Sequence, residues 1–402
     1  MDSEVSGVAQ DAAGTRPEFR VAMIGYRFMG AAHSHAWRTA PRFFDLPLMP
    51  RLAVLCGRTR AAAADAAARM GWAAFETDWR RVVERDDVNL VDICTPGETH
   101  AEIAIAALEA GKHVLCEKPL ANTAAEAARM TVAAERAAAA GRFAMCGFSY
   151  RRAPALALAR RLVAEGRLGE IRHVRAQYLQ DWLSDAQVPL TWRLDRGKAG
   201  SGALGDIGAH IADAAQFVTG MQITGVSGVL RTFVTERPLP GERAQPGAAT
   251  AGQVSVDDAA AFTARFDAGA LGVFEATRSG LGRKNALRLE VNGSSGSLAF
   301  DFEDMNSLEF FDGTAPAHAR GFTRILATDP EHPYVAAWWP PGHGLGYEHC
   351  FTHQVVDLVR AIGREEQPRP SFADAYQVQR VIAAVEQSAA AGSAWQPVAP
   401  AE

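Results

Sequence analysis

Between Arg20 and Met145, short apolar runs alternate with alanine-rich helix formers, and this rhythm limits the fold more than any single motif. Arg20–Ile24, Leu52–Leu55, Leu90–Ile93, His113–Leu115 and Phe143–Met145 have the length and apolar density of buried strands. Between them lie Ala61–Met70, Ala101–Ala110 and Thr123–Ala140, whose composition favours helix. Such alternation predicts a Rossmann-type, doubly wound parallel sheet, with ligands held at the C-terminal ends of its strands.

The pattern changes after Gly147. Ala153–Glu165 reads as a helix, Ile171–Gln180 as a strand and Asp206–Thr219 as a helix. Val226–Thr235, Ala259–Phe266, Leu271–Thr277, Asn285–Asn292 and Ser297–Phe302 then follow as strands without intervening helices, and Tyr347–Gly363 and Phe372–Ala391 close the chain as helices. Successive strands of this kind predict a mainly antiparallel sheet in an α+β domain. The expected division is a disordered tail over 1–17, a dinucleotide-binding domain over 18–147 and a substrate and oligomerisation domain over 148–402. Two domains also suit a chain of 402 residues. Pro238–Gln253, rich in Pro, Gly and Ala, reads as a mobile loop.

Charge and composition exclude several classes. A formal net charge of −5 with no concentrated basic stretch argues against a nucleic-acid partner. No apolar run is long enough to span a bilayer, and Met1–Pro17 lacks the apolar core of a signal peptide, so no membrane partner is expected. Four of the five cysteines, Cys56, Cys94, Cys116 and Cys146, each close a strand-like run. They read as buried, reduced thiols of a cytoplasmic protein.

Gly25-Tyr26-Arg27-Phe28-Met29-Gly30 follows the first strand and opens a helix, which is the place of a dinucleotide fingerprint. Arg27 stands where the middle glycine would lie. At the tip of the second strand Arg58 stands near the position of a ribose-binding acid, which favours NADP over NAD. Thr95-Pro96-Gly97-Glu98-Thr99-His100 ends another strand and would flank the cofactor, with Thr95, Pro96 and His100 as candidates. Glu117 and Lys118 follow the next strand, with Pro119 after them, and are further candidates for contact with the cofactor. Asp206 and His210, four apart, would share a helix face. The aspartate could orient an imidazole that accepts a hydroxyl proton, and Lys118 could polarise the same oxygen. Alternatively Asp206 simply caps a helix. His349 and His353 have the same spacing, but no third residue on their face completes a zinc site, so no metal is expected.

With Glu117-Lys118-Pro119 and Asp206-Ile207-Gly208-Ala209-His210 in this order, the chain resembles the Gfo/Idh/MocA family over roughly residues 18–395. The resemblance implies an N-terminal nicotinamide domain and a C-terminal domain whose large open sheet carries substrate and builds homo-oligomers, dimers or tetramers. It also implies Lys118, Asp206 and His210 as the catalytic set, with a cis bond before Pro119. Tyr178-Leu179-Gln180-Asp181-Trp182, Thr191-Trp192-Arg193 and Glu275-Ala276-Thr277-Arg278 look most like the sugar dehydrogenases of that family. They put Gln180, Trp192, Arg193 and Arg278 on the substrate side. The expected activity is NAD(P)-dependent oxidation of a secondary hydroxyl in a sugar, anhydrosugar or cyclitol. Two alternatives stay open: transient use of bound nicotinamide without net redox, and a non-catalytic regulator.

Overall fold

The computed structural model describes residues 16–240 and 251–398. Six parallel strands form the first sheet: β1 (Glu18–Ile24), β2 (Met49–Cys56), β3 (Ala74–Glu76), β4 (Leu90–Ile93), β5 (His113–Cys116) and β6 (Ala144–Cys146). Their spatial order is β3-β2-β1-β4-β5-β6, so the winding reverses between β1 and β4 and opens a crevice at the strand ends there. The connecting helices are α1 (Phe28–Phe43), α2 (Arg60–Met70), α3 (Trp79–Val83), α4 (His100–Glu109) and α5 (Ala124–Ala139).

Both faces of this sheet are covered, which is why its strands are mostly apolar runs rather than alternating. Val21, Met23, Leu55, Leu90 and Leu115 pack on one side with Trp37 of α1 and with Phe351, Val355 and Val359. The last three belong to α9 (Tyr347–Gly363), so the chain returns near its end to cover the first sheet. Ala22, Ile24, Val91, Ile93 and Val114 face the other way, into a core that runs on into the second half.

That second half contains α6 (Pro154–Ala164), α8 (Ala209–Thr219) and α10 (Phe372–Ala390), packed on a nine-stranded sheet, and the short α7 (Arg196–Ala199). Its strands are β7 (Ile171–Leu179), β8 (Ile223–Arg231), β11 (Ala259–Phe266), β12 (Leu271–Thr277), β13 (Ala286–Gly293), β14 (Gly296–Asp301), β15 (Ser307–Asp312), β16 (Phe322–Leu326) and β17 (Gln396–Pro397). They lie in the order β16-β15-β14-β13-β7-β12-β11-β8-β17. Only the β7–β12 pair is parallel. Two further strands, β9 (Glu236–Pro238) and β10 (Ala251–Gln253), pair separately as an antiparallel ribbon. They flank the centre of the stretch expected to be a loop, residues 241–250, which lie outside the described residues, as do residues 1–15 of the expected tail.

Two differences from the sequence reading have physical causes. The Asp206–Thr219 helix begins with a π-helical turn, Leu204–Gly208, before α8 starts. The sequence signals no such turn, because one extra residue per turn leaves no composition mark. Strands β15 and β16 went unread. In β16 nearly every residue is exposed, so an edge strand of this kind has no apolar alternation to detect. None of the described helices is long and apolar enough to cross a membrane.

Candidate active site

The crevice between β1 and β4 is built for a dinucleotide. Gly25 has φ of 101°, and a Cβ there would lie 2.6 Å from the Cys94 carbonyl oxygen. A Cβ on Gly30 would lie 2.1 Å from the Gly25 oxygen, so glycine is required where α1 crosses the loop. The α1 N-terminus has no side-chain cap and no acidic residue in its first turn. Its backbone N–H groups are therefore free to bind a pyrophosphate. Arg27 and Phe28 at this end are exposed and Met29 is half-buried, so the arginine in the middle glycine's place adds a cation beside the same N–H groups. These residues fit a nicotinamide dinucleotide.

Arg58 is exposed at the β2 tip. The neighbouring β3 tip places Glu76 beside Cys56 in register. Burial first, then the charges of Glu76 and Asp78, push the Cys56 thiol up to about 12. Carboxylates therefore stand around the position where Arg58 alone had favoured NADP.

Lys118 follows β5, in a cis peptide with Pro119, and reaches across to the second sheet's domain. Its ammonium donates to the Asp206 carbonyl oxygen at 2.8 Å and to Asp206 Oδ1 at 3.2 Å. Asp206 sits on the π-helical turn, partly exposed. Burial works against its charge, but Lys118, Arg278 and Arg193 outweigh that and hold its carboxyl at about 2. His210 is buried, and its ring stacks on Tyr150 at 4.4 Å with an interplanar angle of 14°. Burial first, then the Lys118 charge, push its imidazole well below the ordinary value, with Asp206 acting weakly the other way. No hydrogen bond joins Asp206 to His210 among the described residues. The expected orienting contact is absent because the π-helical turn directs the carboxylate at Lys118; the aromatic wall fixes the imidazole instead.

Three expected contacts are placed elsewhere. His100 is buried, with its ring nitrogens 2.8 Å from the Thr95 oxygen and 3.0 Å from the Pro119 oxygen. It ties the Thr95–Pro96 loop to the cis-proline loop rather than lining the crevice. Arg278 is also buried: Nη1 lies 3.7 Å from Asp206 Oδ2, and Nη2 donates to the Asp257 oxygen at 3.1 Å. It backs Asp206 instead of facing a substrate. Glu117 is 4% exposed, and its Oε1 accepts from His33 Nε2 at 3.0 Å.

Among the residues expected to meet substrate, the Gln180 amide donates to Asn285 Oδ1 at 3.0 Å and accepts from Trp182 Nε1 at 2.9 Å. Tyr178 donates to the same Asn285 oxygen, and Tyr150 hydrogen-bonds Tyr178 at 3.0 Å. Arg193 lies over the Trp192 ring at 4.4 Å. Tyr150 and Asn285 carry no motif, and only the fold brings them here. Asp257 was likewise missed: its carboxylate accepts from the Gly202 and Leu204 N–H groups at 2.7 and 2.8 Å, anchoring the start of the turn that carries Asp206.

The two histidines of α9 are already committed. His349 Nδ1 accepts from the Gly346 N–H, while His353 bridges the Arg152 oxygen and the Trp338 indole. Donor atoms of His33, Asp92 and Cys94 lie within 4.8 Å of one another, yet they are hydrogen-bonded to each other, and burial raises the Cys94 thiol far above its usual range.

Comparison with known proteins agrees with this geometry. Residues 19–147 match the family described as oxidoreductase, NAD-binding Rossmann fold, and residues 156–299 match the GFO/IDH/MocA C-terminal domain. The chain is 42% identical to levoglucosan dehydrogenase of Pseudarthrobacter phenanthrenivorans over 92% of its own length and 96% of that protein. The crystal structure of an oxidoreductase domain protein from Kribbella flavida is 65% identical, with a TM-score of 0.92 over 96% of this chain and all of that one. A levoglucosan dehydrogenase solved with NADH and levoglucosan is 40% identical, with a TM-score of 0.90 over 95% of this chain and all of that one. With a nicotinamide crevice, a lysine–aspartate pair across two domains and both halves matched, this chain belongs to the Gfo/Idh/MocA family of NAD-binding oxidoreductases.

Proposed function

We propose that the protein is a cytoplasmic, NAD-dependent dehydrogenase that oxidises a secondary hydroxyl of an anhydrosugar or a related sugar. The observation that carries this reading is the convergence of the Lys118 ammonium and a neutral, buried His210 on one cleft, from opposite domains. Relatives named levoglucosan dehydrogenase support the anhydrosugar class.

Lys118 is held by Asp206 with N–H capacity to spare, so it can donate to the substrate oxygen and support the charge that develops there. His210, held neutral, accepts the hydroxyl proton. Asp206 acts through the lysine: its anion fixes the ammonium in place. Bound NAD supplies the acceptor for the hydride that leaves the same carbon. Gln180 and Trp192, on polar and aromatic walls beside this point, suit a hydroxyl-rich ring with apolar faces.

Cofactor choice follows from charge at the β2 and β3 tips. Glu76 and Asp78 repel a 2′-phosphate, which supports NAD over NADP despite Arg58. A homo-oligomer is supported by the outer face of the nine-stranded sheet, where Val229, Leu271 and Val273 are exposed.

Four measurements test these points. Lys118→Ala should lower kcat by about a hundredfold or more while NAD still binds; unchanged turnover would overturn the assignment. Because His210 is depressed, it stays in its accepting form until pH falls through that lowered value. The acid limb of kcat/KM should therefore lie below the ordinary imidazole value of about 6.5, and a limb above it contradicts the role. A panel of anhydrosugars, sugars and inositols assayed for nicotinamide reduction should show preference for levoglucosan-like rings, with NAD favoured over NADP by about tenfold. Sedimentation velocity should give a dimer or tetramer that the paired change Leu271→Lys and Val273→Lys breaks into monomers.

A further inference from the structure

His33, on the second turn of α1, is 1% exposed and lies between two carboxylates. Its Nδ1 is 2.9 and 3.0 Å from the Asp92 oxygens, and its Nε2 is 3.0 Å from Glu117 Oε1. A neutral imidazole has one N–H and cannot donate to both acids. The geometry therefore calls for an imidazolium. Asp92 also accepts from the Trp37 indole N–H at 2.7 Å. Burial would lower the His33 pKa, yet Asp92 above all, with Cys94, raises it well above the ordinary value.

Two carboxylates and one imidazolium leave one negative charge. Asp92 is fully buried and saturated, whereas Glu117 Oε2 takes no hydrogen bond from any described residue. The uncompensated charge thus rests on Glu117. Around the ends of β4, β5 and β6, burial above all raises Cys94, Cys116, Cys146 and Tyr347, with the Glu117 charge adding to it, and lowers His100 against the pull of Glu117. Glu117 directly precedes Lys118, on the half of the crevice beyond the strand-order reversal, opposite the Arg58 end. That is the half to which the catalytic lysine assigns the nicotinamide ring.

We propose that the Asp92–His33–Glu117 triad is a fixed buried anion that makes the site discriminate between cofactor redox states, binding the cationic oxidised ring more tightly relative to the neutral reduced one. The charge lies in a low-dielectric region, where water does not screen it as in bulk. His33 is a positioning residue: it spends its charge on Asp92 and holds Glu117 at the strand end, so the carboxylate does not turn away. The inference rests on the NAD-dependent reading of the crevice, but it concerns binding rather than turnover.

The test is equilibrium titration of the purified protein with NAD and, separately, NADH, followed by calorimetry or tryptophan fluorescence. Glu117→Gln keeps the size of the side chain and an acceptor for His33 but removes the charge. It should weaken NAD binding about tenfold relative to NADH, leaving the NADH dissociation constant within about twofold. Glu117→Asp keeps the charge and should keep the wild-type ratio within about threefold. A merely structural role would weaken both cofactor forms together in both variants, and that result overturns the proposal, as does an unchanged ratio in Glu117→Gln. Should Glu117→Gln fail to fold, a tenfold change of the ratio in Glu117→Asp overturns it equally. Failure of the wild-type protein to bind either form would refute the NAD-dependent reading itself, and this inference with it.

Discussion

One contact spans the two halves of the molecule at the point where chemistry is proposed: the Lys118 ammonium on the carbonyl and carboxylate of Asp206. Lys118 is delivered by the end of a parallel strand, Asp206 by the start of a helix that packs on an antiparallel sheet. Neither element alone makes a site. The pair is partly exposed, so its worth to overall stability is modest, and its value lies in geometry. It fixes an ammonium beside the crevice, where the Lys118 charge adds to burial, the larger cause, in keeping the neighbouring imidazole neutral.

The second domain holds its end of this contact through a π-helical turn and two buried groups behind it. Asp257 accepts two N–H groups at the beginning of the turn, and Arg278 faces the far oxygen of Asp206. Arg278 is buried, with its Nε lacking a partner, so it is a costly residue to keep for packing alone. Its guanidinium gives Asp206 a second cation and explains why one carboxylate stays ionised next to a hydrophobic wall. π-helical turns recur where a helix must aim a functional side chain, and this one aims the aspartate.

Much of this was legible in the chain. The alternation of runs in the first third pointed to the parallel sheet, because strands covered on both faces are apolar at most positions. The lysine, aspartate and histidine strings were read from residue type and order, and the fold brings all three to one crevice. What failed was anything that depends on direction. Spacing put Asp206 and His210 on one face, but the π-helical turn sent the carboxylate elsewhere. Residue type made Arg278 and His100 look like ligand contacts, whereas burial turned both inward. His33 and Asp92 sit 59 positions apart with no motif to join them, and only strand order makes them neighbours.

The histidines show that neighbours can either overcome or reinforce what burial does to a buried group's charge. His33 and His210 are both almost fully enclosed, and desolvation presses both toward the neutral form. His33 meets carboxylates at each nitrogen and stays charged; His210 meets an ammonium and a phenol face and stays neutral. Removing one partner of a buried charged pair such as His33–Asp92 costs about 3–5 kcal/mol, so that choice is built in with considerable force. The sign carries over to stability. His33, raised in the folded state, adds stability below the ordinary imidazole value that is lost as pH rises through its folded value. His210, lowered, adds stability above the ordinary value that is lost as pH falls through its folded value. The two are pushed in opposite directions from the ordinary imidazole value, His33 toward a cation enclosed by its two carboxylates and His210 toward a free base beside Lys118.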